Sequence, residues 1–218
     1  ITNAFEADLL TRGTGSNMGY ADSVEIFSIY GQQSGSVLGQ SQEISRALVQ
    51  FPINEVSADR TAGTVPASGS VSFYLKMYNA EHPFTLPQDF NLVVAPVSQS
   101  WSEGTGLDMD EYKDLGSSNW INANSTTAWT NIGGDYLSNN NENISFPLGY
   151  ENIELDVTDI VEHWIKGAAG GSYENYGFGI RLTASQEGYY SSSTGADAGS
   201  LIHNPAGATE SYYTKKFF

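Results

Sequence analysis

Short stretches in which apolar and polar residues alternate, set apart by clusters of Gly, Ser, Asn and Pro, dominate this chain. A two-residue period puts successive side chains on opposite faces of an extended backbone, so the pattern predicts antiparallel strands with one wet face. The clearest lies at 70–78, where Val71, Phe73, Leu75 and Met77 alternate with Ser72, Tyr74, Lys76 and Tyr78. Further strands are expected at 23–30, at 44–51 closed by Pro52, and at 90–97. Others follow at 152–157, at 176–184 with Phe178, Ile180 and Leu182 inward, and at 212–218. A proline cannot donate to a sheet ladder, which is why Pro52 is read as an end.

The period changes once. From Thr158 to Lys166 the apolar residues Ile160, Val161, Trp164 and Ile165 fall at helical spacing. Thr158 or Asp159 is expected to cap the first turn, and Gly167 stands where a helix ends. Between 98 and 149 periodicity disappears altogether, in a stretch too long for an ordinary connection. It reads as a decorated insertion pinned to the body by Trp101, Trp120 and Trp129. Seven to ten strands with one short helix imply an all-β fold, a jelly-roll-like antiparallel β-sandwich forming a single domain over 1–218.

Composition narrows the partners. The 218 residues carry 25 Asp and Glu against 9 Lys and Arg, a formal charge of −16. Phosphate binding needs clustered Lys and Arg, so a nucleic-acid partner is not expected. No apolar run approaches the roughly 18 residues of a membrane helix, so no membrane partner is expected either. With 13 Tyr, 10 Phe and 4 Trp the chain has the material for a core. The absence of Cys removes disulfides, thiolate metal sites and cysteine nucleophiles. The ending on Phe217-Phe218 suggests a piece of a longer chain.

No catalytic arrangement stands out. His82, His163 and His203 are isolated from one another, and no nucleophile elbow or metalloprotease helix motif occurs. The Gly-rich run from Gly13 to Gly19 contains no Lys and opens no helical pattern, which argues against a phosphate loop. Ca2+ is the one cofactor the chain suggests, through Asp108, Asp110 and Asp114, although Lys113 occupies the place where a calcium loop needs Gly. Trp129, Tyr136, Tyr150, Tyr189 and Tyr190 are candidates for a sugar-stacking platform, with core packing as the competing reading of the tryptophans.

Six segments, in order, resemble the disaggregatase-related (DNRLRE-like) β-sandwich family, which includes carbohydrate-binding modules of secreted proteins. They are Asn17-Met18-Gly19, Ser45 through Phe51, Trp101 through Thr105, Trp120-Ile121-Asn122, Leu155 through Thr158 with Val161 and Trp164, and Asn175 through Phe178. The stretch from Leu92 to Trp120 and the ending Tyr213 to Phe218 are similar to marine tailed-phage virion proteins carrying such a domain. The resemblance implies a non-catalytic capsid-decoration or tail component, in a virion or otherwise extracellular. Its expected partners are other virion subunits, with homo-oligomers among them, and a cell-surface glycan is the alternative. It also implies architectural roles for Arg46, Trp101, Asp156, Thr158 and Trp164, with Arg46 expected to meet an acid such as Asp156.

Overall fold

The computed structural model describes residues 2–4, 16–30, 42–81, 86–107, 114, 116–167, 173–184, 186–187 and 211–218. Ten strands and two short helices lie among them: β1 (Thr2–Ala4), β2 (Val24–Tyr30), β3 (Gln42–Ser45), β4 (Ala47–Val49), α1 (Ile53–Thr61), β5 (Tyr74–Met77), β6 (Phe90–Pro96), β7 (Glu142–Phe146), β8 (Ile153–Asp156), α2 (Thr158–Lys166), β9 (Phe178–Leu182) and β10 (Ser211–Phe217). Every strand pair is antiparallel. One sheet runs β1-β3-β2-β10, a second β4-β9-β6-β7, and β5 pairs with β8. The chain is an all-β antiparallel sandwich.

Burial explains the layering. The first sheet contributes Ile26 and Phe217 to the main core, and the second contributes Phe90, Leu92, Val94, Phe146, Phe178, Ile180 and Leu182. Phe90 and Phe146 stack with centroids 5.1 Å apart, and Phe146 meets Phe217 at 6.2 Å. β6 is buried almost throughout because it is flanked by β7 and β9 within its sheet. The antiparallel β5–β8 pair adds Leu75, Met77 and Ile153. It is tied to β10 through Tyr78 and Phe218, which exchange backbone bonds of 3.2 and 2.9 Å.

The helix expected at 158–166 forms with the expected inward stripe, and Trp164 packs on Phe178 at 4.8 Å. Its cap differs. Val157 occupies the cap position and no side chain caps it, because the Thr158 hydroxyl accepts the Phe73 N–H instead. Asp156 Oδ1 takes the Thr158 N–H at 2.9 Å, so Asp156 and Thr158 together fix the strand-to-helix corner.

Five elements depart from the sequence expectation: β1 has no expected counterpart, the strand expected at 70–78 forms only as β5 from Tyr74 to Met77, and three more differ as follows. The strand expected at 44–51 is broken at Arg46 into β3 and β4, which belong to different sheets. The helix α1 follows Pro52 with only Ile53 buried and no apolar stripe to announce it. It is held by Arg60, whose guanidinium makes a bidentate pair with Glu162 of α2 at 2.7 and 2.8 Å. The region 98–149 is not wholly an insertion, since β7 lies inside it and Phe146 is core. The aperiodic part is 98–141.

Its described residues are held by side chains acting as backbone. Asn119 Oδ1 accepts the N–H groups of Ile121 and Asn122, and Asp135 accepts those of Thr130 and Asn131. Such short-range bonds replace a ladder where Asn and Asp are plentiful. A second small core of Val97, Ala123 and Trp129 forms beneath, with Leu48, Trp101, Tyr136 and Tyr176 against it.

Candidate functional site: the groove beside β4

The break at Arg46 shapes the surface. Residues up to Ser45 pair with β1 and β2, whereas residues from Ala47 pair with β9, so β2 and β4 splay apart. Ser45 bridges the fork, accepting the Phe27 N–H at 3.0 Å and donating to the Glu25 carbonyl at 2.6 Å. Beyond it lies a groove of about 970 Å³. Residues 45–54 line it without a break, opposite Met18, Glu25, Trp101, Glu103 and Glu174, with Trp164 also in its lining.

The far wall is a knot between two segments singled out in the sequence. Asn17 is buried; its Nδ2 donates to the carbonyls of Glu103 and Ser118 at 2.6 and 2.8 Å, and its Oδ1 accepts the Gly19 N–H at 2.8 Å. A Cβ on Gly19 would run into the Gly104 carbonyl, and one on Gly104 into the Asn17 amide. Gly104 also holds φ at 84°, a conformation that favours glycine. Asp114 braces the same loop through the Thr105 and Gly116 N–H groups and the Ser117 hydroxyl. Burial alone would push its carboxyl up, yet these donors hold it below the ordinary carboxylate value.

The groove is acidic. Glu25, Glu103 and Glu174 line it, and Arg46, the one base among the described lining residues, is engaged elsewhere. The Arg46 guanidinium grips Glu187 through Nε–Oε1 and Nη2–Oε2 at 2.8 and 2.7 Å, donates to the Gly133 carbonyl, and lies 4.8 Å above the Trp120 ring. Burial on its own would lower the guanidinium pKa, but Glu187 holds it above its ordinary value. The expected partner Asp156 is thus replaced by Glu187. Asp156 is spent on the α2 corner and stands exposed.

The aromatic candidates separate clearly. Trp129 is 4% exposed in the small core, with its indole N–H on the Asn119 carbonyl, so it is not part of a surface platform. An aperiodic loop region must bury something apolar to stay ordered, and here it buries this ring. Tyr136 fills the space left by Gly179, donates to the Gly133 carbonyl, and lies beside Arg46 and Arg181, with its phenol pKa raised by burial. Its ring is packing rather than platform. Tyr150 is exposed. Tyr189, Tyr190, Asp108 and Asp110 lie outside the described residues. Among the described residues no group of three His, Cys, Asp or Glu is placed to hold a metal, and Asp114 is occupied as above. Trp101 is half-buried, anchored to the Tyr176 carbonyl at 2.8 Å, and Trp164 is core.

Sequence reasoning missed Glu187, which lies 141 residues from Arg46 in a Ser/Gly-rich stretch with no local signal. It flagged Asn17 and Trp101 to Thr105 separately, without a sign that they interlock. No family model, curated protein or solved structure matches the chain.

Proposed function

We propose that this chain is a non-catalytic structural domain of a phage virion protein that works by contact with other subunits of the particle. The observation that carries the reading is an aromatic band on the outer face of β5. Tyr74, Lys76 and Tyr78 alternate outward along the strand, and Phe218, paired directly with Tyr78, shares their face. The three aromatics are 52%, 58% and 69% exposed. Exposed aromatic clusters of this kind mark interaction surfaces, and Tyr and Phe are enriched where proteins meet. Lys76 sits amid the band, 3.1 Å from Glu154 of β8 and 6.0 Å from the Tyr74 ring.

The resemblance of the 92–120 and 213–218 segments to virion proteins supports the same reading. Negative-stain electron microscopy and sedimentation of the full-length protein test it. Ordered assemblies that weaken on Tyr78→Ser are expected. A protein that stays monomeric at every concentration and is absent from particles would remove the reading.

A further inference from the structure

We infer that the groove beside β4 receives an extended peptide segment, apolar and basic in character, donated by a neighbouring subunit. The inference rests on the assembly reading for the source of the segment, but the groove itself carries its chemistry. Among the described residues β4 is the outer strand of its sheet and pairs only with β9, with Ala47, Leu48 and Val49 opposite Ile180, Gly179 and Phe178. In an antiparallel pair alternate residues turn their N–H and C=O away from the partner. On β4 that side faces the groove.

The lining confirms the orientation. Side chains alternate across a strand, so a pocket against one face would be lined by every second residue. All three residues of β4, Ala47, Leu48 and Val49, line this groove consecutively, as the edge of a strand would. A strand edge with no described strand against it, beside apolar Met18, Trp101 and half-exposed Phe51, is the arrangement that accepts an added strand. The three residues of β4 span about 10 Å at roughly 3.3 Å each, and the irregular Gln50 and Phe51 continue the wall.

Charge selects the occupant. Glu25, Glu103 and Glu174 surround the opening, while Arg46 is neutralised by Glu187. An acidic strand would meet three carboxylates with no unengaged base among the described lining residues, whereas a basic one finds acidic partners there. Alternation then places apolar residues inward and basic residues toward the acids.

Fluorescence anisotropy with a labelled hexapeptide of alternating valine and lysine, coupled to hydrogen–deuterium exchange, tests this on the full chain. Binding should slow exchange selectively at 47–51. A valine–glutamate hexapeptide should bind at least about tenfold more weakly, since like charges at an interface oppose docking. Glu103→Gln should weaken the valine–lysine peptide about two- to fivefold, the worth of one exposed ion pair. Protection elsewhere, equal binding of both peptides, or protection of 47–51 by cellohexaose but by neither peptide would overturn the proposal, the last outcome assigning the groove to a glycan. Assembled particles separate the two readings. Particles with 47–51 unprotected overturn the donated strand and leave assembly standing, whereas peptide protection in a protein that never assembles keeps the groove's preference for a basic strand but overturns both assembly and a neighbouring subunit as its source.

Discussion

The two cores of this molecule bury tryptophan by different means. In the main core Trp164 sits on α2 among Phe178 and a continuous set of aliphatic and aromatic side chains, and regular strands supply the positions. In the 98–141 region Trp129 has only Val97 and Ala123 as fully buried companions, and turns closed by Asn and Asp supply the positions. The first arrangement gains stability from area, at roughly 25 cal/mol for each Å² of apolar surface removed from water. The second relies on a few polar bonds that must all be present. A buried polar network tolerates less than an apolar core, because each missing partner leaves a group unpaired.

Arg46 joins the two regions, and it offers the sharpest way to break the contrast. It stands between β3 and β4, reaches Gly133 and Trp120 in the loop region, and pairs with Glu187. Removing one member of a buried pair leaves the other charge uncompensated, at a cost of about 3–5 kcal/mol. Arg46→Leu should therefore lower stability by that amount in urea unfolding and loosen both regions together. The double change Arg46→Leu with Glu187→Leu should recover a large part of the loss. A double variant no better than the single would mean that the Gly133 bond and the Trp120 contact, rather than the ion pair, hold the joint.

The next effect should be confined to one side. Gly104→Ala adds a Cβ at a φ of 84° and against the Asn17 amide, and strain of this kind costs about 1–3 kcal/mol. Asn119→Ala removes the shared acceptor of the Ile121 and Asn122 N–H groups, two part-buried bonds worth about 1 kcal/mol each. Both variants should raise hydrogen exchange across 98–141 while amides of β6 and β9 stay protected. If exchange rises equally in β6, the two regions unfold as one unit and the contrast between them fails.

Legibility in the sequence follows the same division. Strands β2, β6, β9 and β10 and helix α2 lie close to where periodicity places them, because each buries a face and burial imposes a period. β7 carries Glu142, Asn143 and Ser145 on its exposed positions and shows its inward Phe146 only at one end, so its alternation is too short to read. α1 has one buried residue and is positioned by an Arg60–Glu162 contact 102 residues apart. The break at Arg46 was hidden for a further reason. Ile44 to Val49 keeps a strand-like composition on both sides of it, and only the sheet to which each half pairs reveals the fork. The groove arises from that fork, so no local pattern announced it. Its wall residues Asn17 and Trp101 were visible only as isolated segments.

Lys215 gives the most specific effect, because it places a charge inside the apolar core. Its Nζ lies 4.9 Å from the Phe146 ring centroid and 5.2 Å from that of Phe217, and donates to Asn79 Oδ1 and the Gly149 carbonyl. Burial lowers its pKa to about 8, against the opposing influence of Glu151, while an unfolded chain keeps lysine near 10.4. A lowered lysine pKa means that the fold disfavours the charged form, so the penalty is fully present below about pH 8. Between about pH 8 and 10.4 the unfolded chain binds more protons than the folded one, and stability from this site rises with pH. Tyrosines titrate in the upper part of that range, so the measurement is a difference. The Tm of the native chain minus that of Lys215→Met should rise steadily from pH 7.5 to 10. A difference that stays flat or falls would show that the two aromatic rings and two acceptors fully compensate the ammonium. The main core would then tolerate a charge as well as the Asn- and Asp-rich region tolerates its polar groups, and the distinction between the two would reduce to size.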